Sequence, residues 1–224
     1  MGLNWVKKGS QMYPWVNATW NPIRGKCPHD CSYCYMKVYP QSELHFAEKE
    51  METNLGTDNF IFVGSSTDGW CYEALTEWIF ATLKHCCKYP LNRYLFQSKN
   101  PARFNMFLPF MPHDYILGTT IETNRDYEIS QAPTPEARML VMEDLPHPKM
   151  VSIEPIIDFD LDILVDWIRQ IAPVFISIGA DSKGHKLPEP SPEKTQQLIK
   201  DLQGITTIKI KDNLKRILRQ EMPK

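Results

Sequence analysis

Strand-like and helix-like patterns alternate along most of the chain, and this alternation limits the fold more than any other feature of the sequence. Apolar residues at helical spacing, such as Leu75, Trp78, Ile79 and Leu83, lie between short β-rich runs. Such alternation is typical of βαβ units and a parallel sheet. The β-rich runs are WVNATW (15–20), FIFVGSS (60–66), RYLFQSK (93–99), YILGTTIET (115–123), KMVSIEP (149–155), VFISIGAD (174–181) and TTIKIKD (206–212).

Helix boundaries carry their own signals. Ser191 before Pro192 predicts an N-cap and a first helical residue, and Gly204 predicts the end of that helix. Asn100–Pro101 and Thr134–Pro135 repeat the same start signal. A further apolar stripe, stopped by Pro173, consists of Leu161, Leu164, Val165, Ile168 and Ile171.

Seven strand–helix units are one fewer than a complete (β/α)8 barrel contains. We therefore predict an α/β fold, a partial (β/α) barrel of about six to seven parallel strands with outer helices. A chain of 224 residues allows one or two domains. Because no linker-like segment interrupts the alternation, we predict a single domain over residues 1–224.

The predicted strands have two different faces. Ile61, Ile176, Val174 and Ile210 are among the apolar residues expected to face the helices. Buried polar groups need partners, so polar residues on the opposite face predict a ligand cavity at the carboxyl ends of the strands, unless these residues are solvated strand ends. That polar face contains Gly64, Ser66, Gln97, Lys99, Gly118, Thr120, Glu122, Ser152, Glu154, Ser177, Gly179, Lys209 and Lys211.

Three cysteines follow the first β-rich run. Cys27, Cys31 and Cys34 are spaced C-x3-C-x2-C, in a loop placed where the active sites of (β/α) barrels lie. The sequence shows neither an apolar run of membrane-spanning length nor a secretory signal, so we expect a cytoplasmic protein that does not bind a membrane. Because cytoplasmic thiols stay reduced, six cysteines favour a metal or catalytic role over disulfides.

Three interpretations of this cysteine loop compete. The thiolates bind three irons of a [4Fe–4S] cluster whose fourth iron takes a small molecule, they bind zinc with a fourth protein ligand, or they are structural or disulfide thiols. His29 or a residue of His85–Cys86–Cys87 is the candidate fourth zinc ligand, although no second cysteine pair typical of zinc sites is present. We expect His29 at the surface, Cys86 in the core, and Cys71 and Cys87 outside the site.

The cysteine spacing, with Tyr33 directly before the last cysteine, resembles the signature of the radical S-adenosylmethionine (radical SAM) superfamily. The strings TWNPIRGKC, FIFVGSSTD, FQSKNPARF, LGTTIETN, VSIEPI and ISIGADS are similar, in this order, to those of small radical-SAM-like proteins common in phage and bacterial genomes. The likeness covers nearly the whole chain.

This resemblance implies a mechanism. Cys27, Cys31 and Cys34 bind three irons of a [4Fe–4S] cluster, and the amine and carboxylate of S-adenosyl-L-methionine bind the fourth. An electron from a flavodoxin- or ferredoxin-like reductant cleaves the cofactor to methionine and a 5′-deoxyadenosyl radical, which abstracts hydrogen from the substrate. The reaction type, whether isomerase, lyase or transferase, stays open.

The resemblance also implies which residues bind the cofactor. Tyr33 lies near the adenine, Glu122 binds the ribose hydroxyls, and Lys99 binds the methionyl carboxylate. The turn after the second predicted strand meets the methionyl amine, although it departs from the family's commoner Gly-Gly-Glu form. The implied cofactor-binding residues are Tyr33, Gly64, Ser65, Ser66, Lys99, Glu122, Ser152 and Gly179.

Lys209 and Glu154 are the candidate catalytic residues. Strand alternation places Lys209 on the inner face, and Glu154 fits either the adenine pocket or a capping role beside Pro155. Lys99 and Lys211 are alternatively solvated, and Gly179 is alternatively a turn residue. Further candidates at the mouth of the barrel are Trp20, Asn21, Arg24 and Asp68.

A lone barrel predicts a small-molecule or nucleotide substrate, and the phage-like resemblance extends this to a modified nucleobase in DNA. The net charge of −2 gives no basic footprint, so DNA binding depends on a local patch. The basic residues near the C-terminal end form a phosphate-binding edge or the solvated face of a helix: Lys209, Lys211, Lys215, Arg216 and Arg219. A zinc-stabilised binding module and a non-catalytic radical-SAM-like ligand-binding protein stay open as alternatives.

Overall fold

The structure is a computed structural model that describes residues 2–7, 9–10, 12–146 and 148–219. The chain divides into two compact units. The first comprises the described residues of Met1–Asp30 and Met36–Gly118, and the second comprises Cys31–Tyr35 and the described residues of Thr119–Lys224. The prediction of a single domain stays a prediction.

Ten strands occur in the described residues. Eight belong to one sheet in the order β1-β2-β5-β6-β7-β8-β9-β10, and β3 pairs with β4 in a small antiparallel sheet. The strands are β1 (Asn4–Trp5), β2 (Ala18–Trp20), β3 (Ile23–Arg24), β4 (His45–Phe46), β5 (Phe60–Val63), β6 (Arg93–Gln97), β7 (Tyr115–Thr120), β8 (Lys149–Ile153), β9 (Phe175–Ile178) and β10 (Thr207–Ile210).

Each of the seven β-rich runs contains one strand of the large sheet, which is mostly parallel as predicted. In the first unit, Trp20 of β2 lies opposite Val63 of β5, which lies opposite Phe96 of β6. All three side chains are buried. Two further features were not predicted from the sequence: β1, which runs antiparallel to β2, and the short pair β3 and β4.

The second unit repeats this pairing, with Ile153 of β8 opposite Ile178 of β9 and Ile178 opposite Ile210 of β10. Ile153 and Ile178 are fully buried, but Ile210 is 45% exposed. The prediction that Ile210 and Val174 pack against helices is wrong. Ile210 ends the strand at the edge of the sheet, and Val174, which is 52% exposed, precedes β9.

The helices follow their predicted signals. Thr134 and Ser191 cap their helices, accepting hydrogen bonds from the N–H groups of Ala137 and Lys194 at 3.2 Å each. Asn100 instead donates its side-chain amide to the carbonyl of Trp70, and the 3-10 turn Pro101–Arg103 that follows it continues directly into a short α-helix, Phe104–Phe107. The α-helices are α1 (Thr76–Cys87), α2 (Phe104–Phe107), α3 (Pro135–Asp144), α4 (Leu161–Ile171), α5 (Pro192–Gln203) and α6 (Lys215–Leu218); the 3-10 turns are Tyr35–Val38, Glu48–Glu52, Pro101–Arg103, Leu108–Phe110 and Asp212–Leu214.

Within the described ranges, the helices are all too short or too polar to cross a lipid bilayer.

Candidate cofactor site

The segment that carries Cys27 is shaped by local contacts in the first unit. The carbonyl of Cys27 accepts a hydrogen bond from the N–H of Asp30 at 3.2 Å, and Asp30 adopts a left-handed φ of 42°. The hydroxyl of Thr67 donates to the carbonyl of Gly25 at 2.8 Å, just before the motif. This part of the loop therefore has a defined conformation.

Asp68, which follows β5, is the main polar anchor of this segment. Its Oδ2 lies 2.8 Å from Nε2 of His29 and accepts hydrogen bonds from the Ser98 hydroxyl at 2.9 Å and the Lys99 N–H at 2.8 Å. Its Oδ1 accepts from the N–H of Trp70 at 2.9 Å. Burial acts to raise the pKa of Asp68, but these bonds, above all the one from His29, outweigh it and lower the pKa.

The expectation that His29 lies at the surface is wrong, because its residue is only 5% exposed. Its ring nitrogen needs a partner when it is taken out of water, and Asp68 provides one. This contact could not be predicted from the sequence because His29 and Asp68 are far apart in the chain.

The predicted amine-binding turn follows β5 in the first unit. Gly64 has a φ of +82°, a conformation that glycine adopts without strain, and its N–H donates to the carbonyl of Trp20 at 2.9 Å. Oδ1 of the buried Asn21 accepts from the Ser65 hydroxyl and from the N–H of Ser66, both at 3.1 Å. Asn21 thus holds the turn in place, while Trp20 belongs to the core.

Two other residues predicted near the mouth have different roles. Arg24 pairs with the buried carboxylate of Glu50 and donates to the carbonyl of Asn21 at 2.9 Å, so it links local segments of the first unit. Lys99 is held at the end of β6 through its backbone N–H on Asp68, and its side chain is half-buried.

The second unit contains Cys31, Tyr33 and Cys34. The N–H of Cys34 donates to the carbonyl of Cys31 at 3.1 Å, and the N–H of Ser32 donates to the carbonyl of Ile129 at 2.8 Å. The hydroxyl of Tyr33 donates to Oε1 of Glu122. Burial, together with the Glu122 charge, raises the pKa of Tyr33 well above its usual value, so the phenol stays protonated and acts as a donor.

Glu122, just past β7, is 1% exposed and forms an ion pair of 3.0 Å with Arg138 in the first turns of α3. Arg138 is itself 3% exposed and also donates to the carbonyl of Thr120 at 2.5 Å. Glu122 and Arg138 help line a cavity of about 330 Å³ formed by the loop 122–135 and the start of α3. The cavity therefore has a buried carboxylate and a buried guanidinium in its wall.

Glu154, Gly179 and Lys211 occupy the ends of β8, β9 and β10 in the second unit. Oε1 of Glu154 accepts from the Lys211 ammonium at 2.6 Å, and both side chains are largely buried. A Cβ atom on Gly179 would lie 2.9 Å from Cδ of Glu154. Because Gly179 has no side chain, Glu154 can reach Lys211 two strands away. Lys211 is therefore not a solvated residue, and Gly179 does more than form a turn.

One layer closer to the amino ends of these strands lies a second row. Ser152 of β8 is opposite Ser177 of β9, and Ser177 is opposite Lys209 of β10. The Lys209 ammonium lies 4.5 Å from the centre of the Phe175 ring, and burial lowers the pKa of Lys209. Lys209 and Glu154, the predicted catalytic pair, thus occupy neighbouring layers, and Glu154 has Lys211 as its partner.

All six cysteines lie in the described residues, and none forms a disulfide. Cys86 is in the core as expected, and burial raises the pKa of Cys71 to about 12. Cys87 is exposed at the end of α1. Among the described residues, no three His, Cys, Asp or Glu side chains form a group that could hold one metal ion.

Arg138 lines the cavity and pairs with Glu122, and it was not among the residues predicted from the sequence. Thr134–Pro135 predicted the start of α3, and Arg138 lies one turn beyond that start, next to the end of β7. An arginine one turn into this helix was the available signal, because a buried carboxylate such as Glu122 needs a cation nearby.

Solved structures show which fold this chain shares with known proteins. No protein-family model matches the chain, and no curated protein matches it. A cysteine-to-serine mutant of spore photoproduct lyase is similar to this chain, with a sequence identity of 10% and a TM-score of 0.67. The matched region covers 92% of this chain and 79% of the lyase chain. A cysteine-to-alanine mutant of the same lyase, with dinucleoside spore photoproduct, is similar over 93% of this chain and 80% of the lyase chain. Its sequence identity is 10% and its TM-score is 0.66.

SuiB of Streptococcus suis, bound to S-adenosylmethionine, is similar over 92% of this chain at 10% identity and a TM-score of 0.58. The chain spans about half of SuiB, 53% of that chain. Both proteins are radical SAM enzymes, so the chain has the fold of that superfamily. The predicted similarity to this superfamily and the predicted fold class are confirmed.

Proposed function

We propose that this chain is a radical SAM enzyme that reductively cleaves S-adenosylmethionine at a [4Fe–4S] cluster bound by Cys27, Cys31 and Cys34. The observation that carries the proposal is the combination of the C-x3-C-x2-C motif, in free thiols, with the fold of two radical SAM enzymes. Cysteine thiolates are the usual ligands of iron–sulfur clusters, so the donor set fits the group. When bound, the cluster supplies the electron that cleaves the cofactor.

The cavity of the second unit supports a cofactor-binding role for Glu122. Its carboxylate is held by Arg138 and by the Tyr33 hydroxyl in the wall of this cavity, so its orientation is fixed. A charged carboxylate accepts hydrogen bonds from two neighbouring hydroxyls, as the ribose of the cofactor presents them. Tyr33 and Arg138 fix Glu122 for this purpose.

The first unit supports the proposed amine and carboxylate contacts. Asn21 holds the backbone of the turn Gly64–Ser66 in place, and backbone carbonyl groups are acceptors of the kind that an ammonium needs. Lys99, at the end of β6, supplies a cation for the methionyl carboxylate. In the second unit, Ser152 and Gly179 lie at the ends of β8 and β9, where we propose that the adenine packs.

We propose a small, nucleotide-like substrate, with Lys209 as the residue that contacts it and Glu154 held ready by Lys211. One similar structure contains dinucleoside spore photoproduct and another contains a precursor peptide, SuiA. The cations near the C-terminal end of this chain are largely paired: Lys211 with Glu154, Lys215 with Asp212, and Arg216 with Glu189. Pairing neutralises charge that duplex DNA would need, so a free nucleotide is favoured over a base within DNA.

The test is anaerobic reconstitution with iron and sulfide, followed by S-adenosylmethionine and a strong reductant. We expect about four irons and four sulfides per chain, and release of 5′-deoxyadenosine. Cys31→Ala removes a proposed ligand and should abolish both, whereas Cys87→Ala, a matched change at the exposed cysteine, should preserve both.

Bound zinc in place of iron would support the zinc-stabilised module and reject the proposal. A loaded cluster that never releases 5′-deoxyadenosine would support a non-catalytic ligand-binding protein. Deuterated nucleotides supplied in the same assay identify the substrate by transfer of deuterium to 5′-deoxyadenosine.

A further inference from the structure

A single buried carboxylate in the first unit connects the cysteine motif to two neighbouring strand ends. Asp68 has a side chain that is 11% exposed and accepts four hydrogen bonds at 2.8–2.9 Å. One comes from His29, inside the motif, and two come from Ser98 and Lys99 after β6. The fourth comes from Trp70, in the turn after β5.

His29 is the middle one of the three residues between Cys27 and Cys31. Pro28 has a restricted φ, Asp30 has a left-handed φ of 42°, and the carbonyl of Cys27 is bonded to the N–H of Asp30. The side chain of His29 is buried, and its hydrogen bond to Asp68 fixes its position. Residues 27–30 are therefore held from inside the unit as well as along the backbone.

We propose that Asp68 is a positioning residue that, acting through His29, sets the conformation in which Cys27 meets its iron. This inference rests on the proposed cluster. Groups that orient a metal ligand without touching the metal commonly change metal affinity by roughly 10- to 100-fold. Asp68 has this role because its carboxylate binds both His29, inside the motif, and the backbone of Lys99, the proposed cofactor contact at the end of β6.

The experiment compares the native chain with Asp68→Asn, His29→Gln and the double variant. Asp68→Asn keeps the shape of the side chain but removes its charge. Asp114→Asn is the matched control, because Asp114 is an exposed carboxylate of the same unit paired with Arg93. Each protein is reconstituted anaerobically, and three quantities are measured: the rate at which a chelator extracts the iron, the electron paramagnetic resonance spectrum of the reduced cluster, and the unfolding of the cluster-free chain in urea.

We expect both single variants to lose iron roughly 10-fold faster than the native chain and to show an altered spectrum. The double variant should lose iron no faster than the more affected single variant, because both changes break the same connection. Asp114→Asn should behave like the native chain.

Native extraction rates and spectra in Asp68→Asn, with only the urea unfolding changed, would assign Asp68 a purely structural role and overturn the inference. Multiplying effects in the double variant would show that Asp68 does not act through His29, and would also overturn it. If the native chain itself binds no iron, the proposed function fails, whereas a loaded native chain with a silent Asp68→Asn variant rejects only the inference.

Discussion

His85 shows how one buried ring makes stability depend on pH. The residue is 3% exposed, and its Nε2 lies 2.8 Å from the carbonyl oxygen of Thr53, so Nε2 carries a proton and donates. Nδ1 is buried and has no hydrogen-bond partner among the described residues, and the ring packs 5.0 Å from that of Trp20. Burial lowers the pKa of His85, since a second proton would place an unpaired charge in the core.

The pKa of His85 in the folded chain is lower than the ordinary value of about 6.5, so the folded state is more stable when this ring is neutral than when it is protonated. This contribution is complete above pH 6.5 and is lost as the pH falls through the folded-state pKa. We expect the free energy of unfolding of the native chain, measured in urea, to fall between pH 7.5 and pH 5.5 more than that of His85→Gln, whose side chain does not titrate. His45→Gln, at an exposed histidine, should keep the native pH dependence, and equal slopes in all three proteins would contradict the assignment.

Single residues were predicted from sequence to different extents. The cysteine motif is a short local pattern, and its resemblance to the radical SAM signature is what suggested Glu122 as a cofactor-binding residue. The burial of His29 and the pairing of Glu122 with Arg138 were not predictable, because both depend on contacts between residues that are distant along the chain. Charge alone does not reveal which partner folding brings to a buried group.

Strands and helices were predicted more completely than single contacts. Alternation and capping residues located the seven parallel strands and the helices α1, α3, α4 and α5, because each spans enough residues for a period to be visible. β1, β3 and β4 are two residues long, too short to show any period, and they form through pairing with other segments. The exposure of Ile210 follows from the position of β10 at the sheet edge, which the local sequence does not encode.

The end of β9 gives a prediction at the level of the element. Gly179→Ala places a methyl group 2.9 Å from Cδ and 3.0 Å from Oε1 of Glu154, which must move away from Lys211. We expect a loss of roughly 1–3 kcal/mol in the free energy of unfolding, measured in urea. Gly204→Ala is the matched control, because its φ is −80° and the nearest atom to the new methyl, the Asp201 carbonyl oxygen, is 3.9 Å away.

The control should leave stability unchanged or raise it by about 0.4–1 kcal/mol, since alanine restricts the unfolded chain. Equal unfolding free energies for the two variants would show that Glu154 has room to yield, and that the glycine is not needed for the ion pair.

At the scale of the whole molecule, ligand binding should appear as thermal stabilisation. A ligand that binds only the folded chain stabilises it by about 2.7 kcal/mol at 100 times its Kd. Each kcal/mol raises the Tm of a chain of this size by roughly 2–4 °C. We expect S-adenosylmethionine to raise the Tm of the anaerobically loaded chain by several degrees when the cluster is oxidised and no turnover occurs.

Cys31→Ala should lose most of this shift, because the proposed iron contact to the cofactor is then absent. Cys87→Ala should keep it. An unchanged Tm in the loaded native chain at saturating S-adenosylmethionine would argue against the proposed cofactor.

The fold class was predictable for the whole molecule because alternation extends along nearly the entire chain. The division into two compact units was not, since no linker-like composition marks it. The substrate was equally hidden from the sequence. The proposed preference for a free nucleotide rests on which cations are already paired, and pairing is a property of the folded chain.

The ion pair between Glu154 and Lys211, for which Gly179 leaves room, has no net charge and lies at the ends of β8 to β10. Because the two opposite charges cancel, this pair attracts an ionic group less than either side chain would alone. We therefore expect this corner of the protein to receive the uncharged portion of a reactant, such as a sugar carbon or a base edge, and to leave ionic groups to be recognised elsewhere.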